Sequence, residues 1–119
     1  MKIYLAGPMR GIPEFNYLAF NAAAEKLRAA GHEVFSPAEY DLRTYGKNIA
    51  NSAGCAETAA KEHGFNLREA LAADLDWICR EADAVHLLPG WENSKGARLE
   101  HSIGVALKLD IHPVWWWTT

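Results

Sequence analysis

The sequence predicts an α/β fold on a mainly parallel sheet of four to five strands, with helices on both faces. Three observations predict it. Short apolar runs end in Gly-Pro, Ser-Pro or Pro-Gly punctuation at 2–8, 32–37 and 84–89. Segments of helical period lie between and after them. The first strand, helix and strand fit within about forty residues, the span of a parallel crossover.

Each element has a local reason. "KIYLAGP" (2–8) reads as a buried strand closed by Gly7-Pro8. Pro13 and Glu14 open a helix, Phe15, Leu18, Ala22 and Leu27 mark its core face, and Gly31 closes it. "HEVFSP" (32–37) is the second strand. Residues 39–65 have scattered Gly, Asn and Ser and weak periodicity, and read as a long excursion with one short helix near 56–63. Such lengths of loop usually serve a purpose, and covering a site is one. "FNLREALAADLDWICREAD" (65–83) is a helix with a stripe of Leu67, Leu71, Leu75, Ile78 and Ala82. "AVHLLP" (84–89) is the third strand. A helix over 94–109 is expected to bury Leu99, Ile103, Ala106 and Leu107, and "IHPVWWW" (111–117) is the last strand.

The bulk numbers bound the function. The 119 residues suit a single domain, 1–119, and half of them are apolar, enough for a core. A net charge of −3 gives no broad basic field for a nucleic acid polymer. Cys55 and Cys79 have neither the number of a disulfide framework nor metal-type spacing, so they read as reduced thiols of a cytoplasmic protein. The first strand begins at residue 2 with no signal peptide before it, and no apolar run approaches membrane length. His32, His63, His86 and His112 lack metal-ligand spacing, so no metal and no cofactor is expected.

In parallel sheets ligands bind at the carboxyl ends of the strands. That edge carries "GPMRG", "SPAEYD" and "LPGWENSKG". Asp74 falls inside the apolar stripe of its helix, whereas Asp76 points away. A carboxylate on a buried face is unfavourable unless paired or placed in a cleft, which leaves a structural ion pair or a functional acid. Glu100 follows a helix start that Ser94 caps and that Gly96 opens to close approach. By periodicity it borders the core stripe, and stabilising the helix dipole by ~0.3–1 kcal/mol would account for it equally well. Arg10 is either an anchor for an anion or an exposed charge. Tyr4 is either core or site. Trp91 either stacks on a base or covers the end of the core. His101 faces about 100° from Glu100 and is expected to be exposed. Consecutive Trp115, Trp116 and Trp117 cannot all face one small core, so the segment is expected to make a homo-oligomer contact, in a dimer or larger.

Together, "YLAGPMRG", "DLDWICREADAV" and "SKGARLE" resemble the nucleoside 2-deoxyribosyltransferase-like superfamily, closest to its small phage and prophage members. The resemblance covers most of the chain except 41–65, with three motifs in the right order and spacing. It implies a Rossmann-like, flavodoxin-type fold and cleavage or transfer of the N-glycosidic bond of 2′-deoxynucleosides or their 5′-monophosphates, with no cofactor. By position Glu100 matches the family's nucleophile and Asp74 the acid that contacts the sugar and assists the leaving base. Ser94 matches a Ser that holds the 5′-phosphate in the 2′-deoxynucleoside 5′-phosphate N-hydrolase branch. Tyr4, Gly7 and Arg10 match that branch's substrate-binding motif, and Trp91 would wall the sugar or base. The chain departs from the pattern at Arg98 and Ser102, where relatives carry Gly, which bears on the substrate more than on the fold. Two other classes compete: a non-catalytic nucleotide-binding module, acting as sensor or decoy, and a structural oligomer whose Trp-rich end matters more than its pocket.

Overall fold

The computed structural model describes residues 1–9, 13–45 and 66–113. Four strands, β1 (Lys2–Ala6), β2 (Glu33–Phe35), β3 (Ala84–Leu87) and β4 (Asp110–Pro113), make one parallel sheet in the order β2-β1-β3-β4. Among the described residues four α-helices flank it: α1 (Tyr17–Ala29), α2 (Pro37–Tyr45), α3 (Leu67–Arg80) and α4 (Lys95–Ala106). The fold is α/β and Rossmann-like, as the sequence predicts.

β1 is central, so both its faces are apolar. Ile3 and Leu5 pack with Phe20, Ala24 and Leu27 of α1, while Tyr4 and Ala6 pack with Ile78 of α3 and Ala97 of α4. The chain leaves β1 toward β2 and leaves β3 toward β4. The carboxyl ends of β1 and β3 therefore part company, and this is where a crevice opens in such sheets.

The phase of α1 differs from the expected one. Leu18 is 79% exposed and Ala22 is also exposed, whereas Tyr17, Phe20, Ala23, Ala24 and Leu27 are buried. A 3-10 turn at Pro13–Asn16 precedes the helix, with Phe15 and Asn16 at φ 53° and 63°. A helical count begun at Phe15 cannot pass through two left-handed residues unchanged. Asn16 secures the turn by donating to the Pro8 carbonyl at 3.0 Å. Gly31 ends the helix as expected, at φ 95° with its N–H on the Arg28 carbonyl.

The start of the supposed excursion is helical, because Pro37 presets the first turn of α2. Arg28 ties α2 down, donating at 2.6 Å to both Glu39 carboxylate oxygens and at 2.9 Å to the Val34 carbonyl. The rest of the excursion, including Cys55 and the helix expected near 56–63, lies outside the described residues. So do Arg10 and Trp115–Trp117.

α3 is shorter than 65–83. Asn66 caps it by accepting from the Glu69 N–H at 3.1 Å. In α4 the expected core face is a correction. Leu99, Ala106 and Leu107 are exposed and Ile103 is half-buried, while Ala97, Glu100 and Gly104 face inward. A Cβ at Gly104 would stand 2.8 Å from Ile111 Cδ1 and 3.0 Å from Val85 Cγ2. The helix thus seats on its small-residue seam, close to β3 and β4, with Ile103 against the core and Leu99, Ala106 and Leu107 left outside. No helix among the described residues is long and apolar enough to cross a membrane.

Candidate active site

Glu100 is on the central buried position of that seam, not at its border, and is 5% exposed. Ser94 starts the helix, its Oγ accepting the Ala97 N–H at 3.2 Å. The Ser94 O–H remains available to donate outward. Beneath Glu100 the β1 pleat points Tyr4 to the same side of the sheet. The Tyr4 hydroxyl, wholly buried, donates to Glu100 Oε2 at 2.6 Å. A buried phenol needs such a partner, and a carboxylate so bonded gains a charge-assisted hydrogen bond.

Asp74 arrives from α3, where Ala70, Asp74 and Ile78 form the buried line. Asp74 is buried as inferred from the sequence, while Leu67 of the expected stripe is exposed and Leu71 and Leu75 are half-buried. Asp74 faces the Tyr4 hydroxyl as well, while its Oδ1 has no partner. Glu100 and Asp74 line one cleft of about 100 Å³ at the carboxyl edge of the sheet, together with Gly7, Ser94 and Gly96. Gly7 packs hard against the end of β3, since a Cβ there would stand 2.7 Å from Leu88 Cβ. Space around the Gly96 Cα is open.

Trp91 stands elsewhere. It stacks on His101, ring centroids 4.5 Å apart, and lines a second hollow of about 300 Å³ with Pro89, Glu92 and Pro113. His101 is half-buried by that stack rather than exposed. Asp76 pairs with Arg80 on the solvent side.

Sequence reasoning missed Asp41. It lines the same cleft from α2, is 5% exposed, and its Oδ1 has no partner. A signal existed: Ala38, Asp41, Leu42 and Tyr45 recur at helical spacing from Pro37, which puts an acid in an apolar stripe, the pattern that marked Asp74.

The electrostatics follow from burial. Removal from water raises the Asp74 carboxyl to about 9, and the neighbouring Glu100 and Asp41 charges add to the rise. Burial raises Glu100 to about 8, against the pull of the Tyr4 hydrogen bond, which favours its ionised form. Burial alone lifts Asp41 to about 7. Tyr4 rises well above its ordinary value, through burial first and then the Glu100 and Asp74 charges, so it stays a donor. Among the described residues no group of three or more His, Cys, Asp or Glu has the arrangement of a metal site.

A Rossmann-like domain with two communicating acids at its switch-point crevice has the makings of a small-molecule site. The chain belongs to the family described as "Domain of unknown function (DUF4406)", whose model matches residues 1–113. No curated protein and no solved structure matches it.

Proposed function

We propose that the protein cleaves or transfers the N-glycosidic bond of 2′-deoxynucleosides or their 5′-monophosphates through a covalent glycosyl-Glu100 intermediate. The observation that carries this reading is Glu100, buried at the cleft floor, held by Tyr4 and set beside Asp74. The resemblance in "YLAGPMRG", "DLDWICREADAV" and "SKGARLE" supports it.

The two acids have different surroundings, as the two roles require. Asp74 holds its proton more tightly and serves as the acid that protonates the leaving base. Glu100 receives the Tyr4 hydrogen bond, which steadies its carboxylate for attack on the sugar carbon. As the base departs, positive charge grows on the sugar and favours ionised Glu100 further. A sugar without a 2′-hydroxyl reaches this oxocarbenium-like state with comparative ease. The C–N bond breaks, a C–O bond to Glu100 forms, and water or a second base then takes the sugar with retention. Ser94 and the open backbone at Gly96 receive the 5′ end of the substrate. Tyr4 is a positioning residue here, since it touches Glu100 rather than the cleft.

Incubation with a panel of deoxynucleosides and their monophosphates, read for free base, tests the reading. Release from at least one is expected, and inertness across the panel, with binding retained, would leave a binding module. We also propose that the chain works as a homo-oligomer.

A further inference from the structure

The cleft has two unlike ends. Near the start of α4 it is small and polar, with Ser94 and Gly96, and the two acids follow. Beyond them the lining turns apolar: Phe15, Met9, Leu67, Ala70 and Leu71. A flat heteroaromatic ring fits such walls, and a sugar does not. One charged side chain interrupts them. Asp41 is 95% removed from solvent by its 5% exposure, and its Oδ1 has no hydrogen-bond partner. A buried unpartnered carboxyl oxygen is costly unless a ligand or a water completes it. Among the described residues none does so: Tyr17, whose hydroxyl feels the Asp41 charge, is also buried without a partner.

We propose that Asp41 is a specificity-determining residue that selects bases bearing an exocyclic amino group, cytosine and adenine foremost, over the keto-only bases uracil and thymine. This rests on the glycosidic reading of the same cleft. With or without its proton, Asp41 offers an acceptor oxygen to amino hydrogens. Protonated, it matches either class at two points, donating to the ring nitrogen of cytosine or adenine or to a carbonyl of uracil or thymine, so the selection falls to the ionised form. To the ionised carboxyl, which has acceptors only, uracil and thymine present one ring N–H flanked by two carbonyl oxygens, whose lone pairs confront the carboxylate oxygens. A site whose buried group is left unpaired by the wrong ligand discriminates strongly.

The test measures binding, so it does not depend on turnover. Calorimetry on Glu100→Gln at about pH 8.5, above the value to which burial lifts Asp41, with dCMP, dAMP, dUMP and dTMP is expected to show the amino-bearing pair bound about 10- to 100-fold more tightly. Adding Asp41→Asn, whose amide can turn to match either edge, should bring the four to within about threefold of one another. Equal binding of both classes to Glu100→Gln would overturn the proposal and assign the Asp41 oxygen to a water. So would a preference that survives Asp41→Asn. If the double variant fails to fold, the preference of Glu100→Gln is measured again at about pH 5.5, where Asp41 is protonated: its loss supports the proposal and its persistence overturns it. Base preference without base release by the unsubstituted protein would reject the enzyme and keep the role of Asp41. Absence of all nucleotide binding would reject both.

Discussion

Asp74 and Glu100 share a buried hydroxyl between them, and how each meets it decides which one keeps a proton. Glu100 accepts the Tyr4 hydrogen bond, while Asp74 has an unpartnered Oδ1 and two acidic neighbours. Glu100→Gln is therefore expected to lower base release by at least about a thousandfold, since an amide cannot be the nucleophile. Gln still accepts from Tyr4, so the thermal melt should be retained or raised, and a variant with normal turnover would remove Glu100 from the chemistry. The pH–rate profile should rise as Glu100 ionises, near about 8, and fall as Asp74 loses its proton, near about 9. The two limbs belong to the pair as a unit. Asp74→Asn should abolish the falling limb, and a profile with that limb intact would reassign the acid. Stability has its own sign. In the unfolded chain carboxyls ionise near ~4. In the fold Asp41, Glu100 and Asp74 keep protons up to about 7, 8 and 9. The folded state binds more protons, so these groups support it fully at low pH and lose that support as pH rises through their folded values. The melting temperature should fall from pH 5 to pH 9, with each group contributing a slope of at most ~1.4 kcal/mol per pH unit. Asp41→Asn should flatten the curve below about 7, and denaturation at a series of pH values checks it. Asp74 was legible in the sequence because its helix has an unbroken period. Asp41 was not, because Gly, Asn and Ser after Tyr45 hide a nine-residue helix inside an aperiodic stretch.

Helix seating, more than helix existence, is where the elements hold information that periodicity lacks. Among the described residues, all four strands and three of the four α-helices can be read from apolar runs and caps. Facing is harder, because it depends on what the helix meets. α1 is turned by the left-handed pair Phe15-Asn16, and α4 is turned by Gly104, which lets backbone approach Val85 and Ile111. That second rotation is what moves Glu100 from the edge of the stripe to the floor of the cleft. The elements also brace the site through short contacts. Gly7→Ala would drive a Cβ to 2.7 Å from Leu88 Cβ, an atom at the root of its side chain that cannot swing away. The expected loss is ~1–3 kcal/mol by denaturant melt, with weaker nucleotide binding because Gly7 also lines the cleft. Ser94→Ala should remove a cap at ~1 kcal/mol and also weaken binding of 5′-monophosphates relative to nucleosides. Equal losses for both ligand classes would confine Ser94 to capping.

The whole molecule spends its two apolar layers unequally. The α1 side of the sheet buries Phe20, Leu27 and Leu5 almost completely, and the other side buries Tyr4, Ile78 and Val85. α4 meets the second layer through Ala97, Glu100 and Gly104, with Ile103 packed against its edge, so Leu99, Ala106 and Leu107 of the stripe that the sequence marks as its core face remain at the surface. Leu99 is 41% and Leu107 45% exposed, and Ala106 and half-buried Ile103 complete the face. An amphipathic period of this regularity is usually buried by something. The proposed homo-oligomer supplies the partner: a second copy presenting the same face about a two-fold axis, since a self-complementary helix stripe closes most simply as a dimer. The contact expected of Trp115–Trp117 lies outside the described residues, and this face stands beside it as a second candidate surface. Each large apolar side chain taken from partial exposure to full burial contributes up to ~1–2 kcal/mol, so one charge in the stripe should be enough to weaken the pair. Light scattering at micromolar concentration should give a multiple of the 13.2 kDa chain mass. Leu107→Lys, on the exposed side where folding does not need the leucine, should return the mass to that of one chain without lowering the cooperativity of the melt. A single-chain mass for the unsubstituted protein would leave the stripe to solvent and reject the oligomer.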